Sequence, residues 1–178
     1  MADEIDCIDS REAYANPWMR VREDRVRRAD GSEGLFGIVE KEDFAVVVAL
    51  QDGQVAMVEQ FRYAVGQRFW EFPQGSVNGA ADPLARARTE LREETGLLAE
   101  TVAHVGKLYL AYGFCTQAYD VFLATGLTQG ERHLELDEQG LVAAFMTVTE
   151  LEQRIIGGEV VDASTVAAFG LLRLKGLI

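Results

Sequence analysis

The chain has 178 residues, 48% of them apolar and 26% charged, which is enough for one domain with a sizeable hydrophobic core. Its formal net charge of −12 argues against a broad surface for nucleic acid or membrane, although a metal site and a few arginines can still attract an anionic small substrate. Neither a signal peptide nor a membrane span is predicted, because the N-terminus is acidic and no apolar run is long enough. The two distant cysteines, Cys7 and Cys115, fit no zinc spacing and are typical of reduced thiols in a cytoplasmic protein.

The first forty residues are predicted to form an N-terminal extension with one strand pair. Residues 1–16 are polar with little periodicity, which predicts a flexible or loosely packed lead-in. Alternation over 18–28, a turn at Asp30-Gly31 and an apolar stretch over 35–39 predict an antiparallel hairpin. We therefore expect an extension over 1–40, followed by the main domain over 41–178.

The main domain is predicted to be an α/β (α+β) fold, with helices on the faces of a mixed sheet. The apolar run over 44–50 is typical of a central strand buried on both faces, and a tight turn leads into a partner strand over 55–61. Thr149 is predicted to cap one later helix, and Asp162 or Ser164 the final helix. Further strands are predicted over 69–72, 102–110, 119–124 and 141–148, and a loop over 74–81.

A helix with clear start and stop signals carries three glutamates on one face. Asp82 is a good N-cap, Pro83 suits the first turn, and Gly96 suits a left-handed C-cap. At about 100° per residue, one face near the end of this helix carries an acidic triplet, Glu90, Glu93 and Glu94. Carboxylates are disfavoured at a helix C-terminus, so the triplet indicates either a hard cation held by oxygen ligands or a solvated acidic surface.

The spacing around the acidic triplet resembles the signature box of the Nudix hydrolase family. Gly75 opens the box, and the triplet, Gly96 and Leu97 close it in the same register. Four further stretches resemble the branch of that family that comprises ADP-ribose and nucleoside-diphosphate-sugar pyrophosphatases: 18–24, 60–62, 71–74 and 158–165. The resemblance therefore covers nearly the whole chain.

This resemblance implies a Nudix fold, in which a mixed sheet is sandwiched between helices, with an N-terminal antiparallel strand extension. It implies a divalent metal, Mg²⁺ or Mn²⁺, and hydrolysis of the diphosphate linkage of ADP-ribose or a related nucleoside diphosphate sugar. The products would be a nucleoside monophosphate and a sugar phosphate. A homodimer formed through the N-terminal strands is also implied. Such metal ions suit the reaction because they polarise phosphoryl oxygens and lower the pKa of bound water.

Within the box, the resemblance assigns metal ligation position by position. Glu90 and Glu94 are the expected main metal ligands, and Glu93 is expected to be a ligand or the supporting catalytic base. A backbone carbonyl at Gln74 or Gly75 would complete this partial shell of oxygens.

Residues outside the box are expected to bind substrate or to complete catalysis. In the related branch the base often lies in a distal acidic loop, where Glu138 is favoured over Asp137; the alternative is a solvated hairpin end. Arg62, at the end of a strand, is expected to contact phosphate. Arg20 and Arg22 are expected to reach the cleft of a partner subunit. For each arginine, the alternative is an ordinary exposed side chain.

The box departs from the family pattern at two positions. Ala81 replaces a peripheral Glu, and Thr89 replaces an Arg that normally braces the first Glu of the triplet. Arg86 lies one turn before Glu90 and projects onto the carboxylate face, so we predict that it takes over part of the bracing. Two alternatives stay open: a Nudix hydrolase for another nucleotide substrate, and a degenerate domain that binds a nucleotide without cleaving it.

Overall fold

Residues 4–77, 82–134 and 139–178 are described by the computed structural model. The chain divides into a smaller unit, Met1–Asp43 with Tyr109–Ala118, and a larger unit, Phe44–Leu108 with Tyr119–Ile178. Within the described residues, no helix combines the length and apolarity that a membrane crossing requires.

The smaller unit contains an N-terminal sheet of three antiparallel strands: β1 (Ile5–Asn16), β2 (Met19–Arg28) and β3 (Glu33–Glu40), in the order β1-β2-β3. The predicted hairpin is confirmed as β2 and β3, and Gly31 adopts a φ of 82° in its turn. The prediction of a flexible lead-in is wrong for residues 5–16, because β1 pairs with β2 from Ile5 opposite Arg28 to Asn16 opposite Met19, although β1 is exposed along almost its whole length. Backbone pairing thus orders a segment whose own side chains show little periodicity.

The larger unit is built on a seven-stranded mixed sheet. Its strands are β4 (Phe44–Gln51), β5 (Gln54–Arg62), β6 (Gln67–Glu71), β7 (Gln74–Ser76), β8 (Leu97–Tyr109), β9 (Ala118–Gln129) and β10 (Val142–Thr147). The main path runs β10-β5-β4-β9-β8, with β6 paired to β5 and β7 paired to β4. β4 is parallel to β9 and antiparallel to β5 and β7. The predicted central strand is confirmed, since residues 45–49 of β4 have no exposed surface.

Three helices are described: α1 (Pro83–Thr95), α2 (Val148–Ile156) and α3 (Ala163–Leu174). The side chain of Asp162 caps α3 by accepting the backbone N–H of Thr165 at 2.8 Å, as one of the two predicted caps requires. The cap predicted at Thr149 is wrong. The hydroxyl of Thr147 accepts the N–H of Glu150 at 3.0 Å instead, because α2 begins directly where β10 ends.

The central sheet is covered on both faces, as predicted for a sheet sandwiched between helices. Side chains alternate along a strand, so neighbouring residues of β4 face opposite layers. Ala45 and Val47 pack in one buried cluster with Ala87 and Leu91 of α1. Val46 and Val48 pack in a second cluster, which includes Leu151 of α2 and Phe169 and Leu172 of α3. The α+β prediction is therefore confirmed, with α1 on one face and α2 and α3 on the other.

Candidate active site

Helix α1 carries two of its glutamates into the protein interior. The helix is delimited as predicted: the Asp82 carboxylate accepts the N–H of Leu84 at 3.1 Å, and Gly96 adopts a left-handed φ of 76°. Glu90 and Glu94 are each only 1% exposed. The interpretation of the triplet as a solvated acidic surface is therefore wrong for these two residues. Buried carboxylates are costly unless they are paired or bind a cation, which indicates a specific role for them.

Gly75 lets the Glu90 carboxylate approach the backbone of β7. A Cβ atom built at Gly75 would lie 1.5 Å from Glu90 Oε1 and 2.2 Å from its Cδ, so no larger residue fits beside this carboxylate in its present position. Gly75 itself is fixed by pairing with Ala45 of the central strand. The sequence predicted a loop here, but the short strand β7 places the glycine against the helix.

Arg86 supplies a positive charge beside two members of the triplet, Glu90 and Glu93. Its Nη2 forms an ion pair with Glu90 Oε1, and its Nη1 lies 3.8 Å from Glu93 Oε2. The guanidinium is therefore placed between the two carboxylates, as the predicted bracing role requires. Thr89, at the position of the missing box arginine, carries no charge. Three carboxylates and one guanidinium carry a formal charge of −2, which one divalent cation would balance.

Gln74, on strand β7, holds the carboxylate of Glu94. Its backbone N–H donates to Glu94 Oε2 at 3.2 Å. Glu90 and Glu94 are thus both held against β7, at adjacent residues of that strand. A one-residue shift of β7 would disturb both carboxylates at once.

A buried carboxylate that the sequence interpretation missed, Glu71, lies at the end of β6 beside this site. It is 1% exposed and accepts hydrogen bonds from Gln60 Nε2 at 2.5 Å, from Arg62 Nη2 and Nε at 2.6 and 3.2 Å, and from Gln74 Nε2 at 3.0 Å. Burial raises the pKa of Glu71 above its usual 4.5, and the positive charge of Arg62 opposes that rise. The signal that could have revealed Glu71 is the pairing of the two strands that carry Gln60, Arg62 and Glu71, because antiparallel neighbours bring such polar groups together.

The three arginines predicted to bind substrate all form ion pairs within the chain. Arg62 pairs with Glu71, although its side chain stays 43% exposed. In the N-terminal sheet, Arg20 lies 3.3 Å from carboxylate oxygens of both Glu12 and Glu40. Arg22 donates to Glu40 at 2.8 Å and also pairs with Asp24. The predicted catalytic Glu138, its alternative Asp137 and the departure at Ala81 lie outside the described residues.

The acidic triplet fits a hard divalent cation in its chemistry. Carboxylate oxygens are the ligands that such cations prefer, and burial of Glu90 and Glu94 makes a compensating charge favourable. However, across the described parts of the chain no three acidic, histidine or cysteine side chains are gathered closely enough to hold a metal ion by themselves. Arg86 also forms an ion pair with Glu90. The donors are present, and a cation at Glu90 would have to share it with Arg86.

The central strand of this sandwiched sheet contacts both β7, which carries Gly75, and α1, which carries the glutamates. This combination of fold and site defines a class of hydrolase. The chain matches the family model described as NUDIX domain over residues 41–169, and it belongs to that family. Residues 5–39 match a second model, described as nucleoside diphosphate sugar hydrolase N-terminal domain. The protein is thus a Nudix hydrolase, and members of this family generally need divalent metal ions.

Individual relatives place the chain more closely within the family. It is 33% identical over 168 residues to an ADP-ribose pyrophosphatase of Mycobacterium tuberculosis, which covers 92% of this chain and 81% of the relative. An ADP-ribose pyrophosphatase of Bacillus subtilis is 33% identical over 132 residues, covering 74% of this chain and 71% of the relative. A crystal structure of an ADP compounds hydrolase superimposes with a TM-score of 0.86 over 99% of this chain and 98% of that one. At 14% identity, this likeness confirms the fold alone.

Proposed function

We propose that the protein hydrolyses the diphosphate linkage of ADP-ribose or a related nucleoside diphosphate sugar, giving a nucleoside monophosphate and a sugar phosphate. The observation that carries the proposal is the pair of buried glutamates, Glu90 and Glu94, held against the glycine strand β7. Two relatives that match over most of the chain are named ADP-ribose pyrophosphatases, which favours this substrate class. The match to a nucleoside diphosphate sugar hydrolase N-terminal domain favours it as well.

The proposed metal is Mg²⁺ or Mn²⁺, held by Glu90 and Glu94 with Glu93 and a backbone carbonyl of Gln74 or Gly75. When bound, the ion would polarise phosphoryl oxygens and lower the pKa of an attacking water. Oxygen ligands of this kind suit both metals.

The remaining roles belong to side chains around the triplet. Arg86 orients Glu90 and limits the net negative charge of the site. Arg62 is proposed to contact a substrate phosphate, because its pairing with Glu71 fixes the guanidinium while leaving part of it exposed. Glu93, which is partly exposed, or Glu138 would act as the catalytic base that takes a proton from water.

We also propose that residues 1–40 form an N-terminal extension and that the protein is a homodimer assembled through the N-terminal sheet of this extension. Strand β1 is exposed along almost its whole length, and Trp18, at the turn into β2, is 76% exposed. Tyr14 and Leu35 of the same sheet are also exposed, and a surface with several exposed apolar side chains favours an interface. In such a dimer, Arg20 and Arg22 would reach the cleft of the partner.

Both cysteines are free thiols, which favours a reducing cytoplasmic location.

A second candidate is a domain that binds a nucleotide without cleaving it. The ion pair between Arg86 and Glu90 favours this alternative, because a guanidinium already balances one of the metal carboxylates. Thr89 favours it too, since the usual box arginine is absent. The burial of Glu90 and Glu94 weighs against it, because a binding domain has no need of two buried carboxylates facing one strand.

A substrate panel separates the candidates. Purified protein is incubated with ADP-ribose, other nucleoside diphosphate sugars, dinucleotides and a nucleoside triphosphate, each with Mg²⁺, with Mn²⁺ or with a chelator. We expect metal-dependent release of AMP from ADP-ribose, with the triphosphate a poor substrate. Cleavage of only dinucleotides or triphosphates would refute the substrate class. Saturable binding without turnover at high metal concentration would support the binding domain instead.

A further inference from the structure

The side chain of Gln74 links parts of the larger unit that are far apart in sequence. Its Nε2 donates to Glu71 Oε2 at 3.0 Å, at the end of β6, and lies 3.4 Å from Asp162 Oδ2, the cap of α3. Its Oε1 accepts a hydrogen bond from Ser164 Oγ at 2.8 Å, in the first turn of α3. The amide therefore joins the strand that precedes it to a helix about ninety residues later.

The chemistry of these partners fixes the orientation of the amide. Ionised carboxylates accept hydrogen bonds and do not donate them, so the NH₂ group must face Glu71 and Asp162. The amide oxygen is then directed to the Ser164 hydroxyl, which also lies 2.5 Å from Asp162 Oδ2 and has one proton to share between them. Ser164 and Glu71 are buried, so this network is shielded from water and its hydrogen bonds are strengthened accordingly.

The backbone of the same residue holds a metal carboxylate. The N–H of Gln74 donates to Glu94 Oε2, and the next residue, Gly75, lies against Glu90. The position of residue 74 on β7 therefore contributes to where both buried carboxylates lie. β7 has only three residues, which all pair with β4, so the side-chain contacts of Gln74 add to a short backbone ladder in holding this strand.

From these contacts we infer that the Gln74 side chain is a positioning residue, which couples the first turn of α3 to Glu94 and so sets the affinity of the site for a divalent cation. The inference rests on the proposed metal site. It assigns to Asp162 a role beyond capping α3, and it assigns a role to Ser164 as well, because both side chains anchor the Gln74 amide and the backbone of Gln74 holds Glu94. Residues that orient a metal ligand from outside its coordination shell commonly change metal affinity when they are removed.

The test measures Mn²⁺ binding by calorimetry in the absence of substrate. Gln74→Ala is expected to raise the Mn²⁺ dissociation constant by about 10-fold, the lower end of the range for such residues. Gln117→Ala is the matched control: it removes another glutamine side chain, whose Nε2 donates to the Glu42 carbonyl at 2.7 Å in the smaller unit. It is expected to lower stability without changing Mn²⁺ affinity by more than about twofold.

A second pair of variants guards against a folding defect in Gln74→Ala. Ser164→Ala removes the donor to Gln74 Oε1 and is expected to weaken Mn²⁺ binding by a smaller factor than Gln74→Ala does. Ser164→Thr keeps the hydroxyl and is expected to bind Mn²⁺ more tightly than Ser164→Ala. The double variant with Gln74→Ala should bind Mn²⁺ no more weakly than Gln74→Ala alone, because both changes break one connection.

Glu94→Gln separates a failure of the coupling from a failure of the metal site. If Glu94→Gln loses Mn²⁺ binding while Gln74→Ala and Ser164→Ala bind like the wild type, the coupling is overturned and the proposed function stands. If Glu94→Gln binds Mn²⁺ normally, the metal site is overturned and the coupling with it.

Discussion

Replacing Gly75 with alanine adds one methyl group at the most crowded point of the site. That carbon would lie 1.5 Å from Glu90 Oε1 and 3.0 Å from Arg86 Nη2, whereas non-bonded heavy atoms normally stay about 3.5 Å apart. The Glu90 carboxylate must therefore move by about 2 Å, since β7 is held by its pairing with β4. The end of a glutamate side chain moves more easily than a paired strand, so the cost to the fold should be only about 1–3 kcal/mol.

The same displacement should be severe for function. A misplacement of about 1 Å at a catalytic centre can reduce the rate roughly 100-fold, and Glu90 would move farther than that. We expect Gly75→Ala to lower metal-dependent kcat/KM by at least about 100-fold and to weaken Mn²⁺ binding, measured by product release and by calorimetry. Chemical denaturation should show that the variant is still folded.

Gly170→Ala is the matched control for this substitution. Gly170 lies in α3, and a Cβ there would meet nothing within 4 Å. Alanine is favoured over glycine in a helix by about 0.5–1 kcal/mol, so this variant should be at least as stable as the wild type, with unchanged turnover. A Gly75→Ala protein with wild-type turnover and Mn²⁺ affinity would refute the placement of Glu90 against β7.

Two further predictions concern the arginines that pair with buried carboxylates. Arg86→Met should lower the free energy of unfolding of the metal-free protein by roughly 3 kcal/mol, because buried Glu90 loses its guanidinium partner. Added Mn²⁺ should stabilise this variant more than it stabilises the wild type. Equal stabilities without metal, measured in urea, would show that the ion pair contributes nothing, and Arg86→Lys controls for loss of charge. Arg62→Met should cost roughly 1–3 kcal/mol, less than a fully buried pair because Arg62 is partly exposed. The loss of unfolding free energy should be larger at pH 8 than at pH 5, because without Arg62 the pKa of Glu71 rises further in the folded state. The folded variant then binds a proton on Glu71 at a pH where the unfolded chain does not, so acidification restores part of its stability. A loss that stays constant or grows towards pH 5 would contradict this assignment.

The features that the sequence predicted well are those encoded by neighbouring residues. Helix α1 was predicted from Asp82, Pro83 and Gly96, because caps depend on local hydrogen bonds and local backbone angles. The central strand was predicted from its apolar run, since burial on both faces leaves its mark on every residue. The grouping of Glu90 and Glu94 followed from helical spacing alone.

The features that the sequence did not predict depend on partners distant in the chain. Strand β1 is ordered by pairing with β2, and its own residues carry no periodic signal. Glu71 gains its importance from Arg62 on the neighbouring strand and from Gln74, so it could not be recognised as a buried acceptor in isolation. The close approach of Gly75 to Glu90 requires β7 to pair with β4, a contact between segments about thirty residues apart.

The most direct measurement is the metal-dependent release of AMP from ADP-ribose by the wild type and by Glu94→Gln. Glutamine keeps the shape of the side chain and a carbonyl oxygen for the Gln74 N–H, but it removes the charge that would bind a cation. The expected result is rapid release by the wild type and a fall of roughly 100-fold or more in kcat/KM for the variant, equivalent to about 2.7 kcal/mol of transition-state stabilisation. Full activity in Glu94→Gln would contradict the assignment of the buried glutamates as the catalytic metal site.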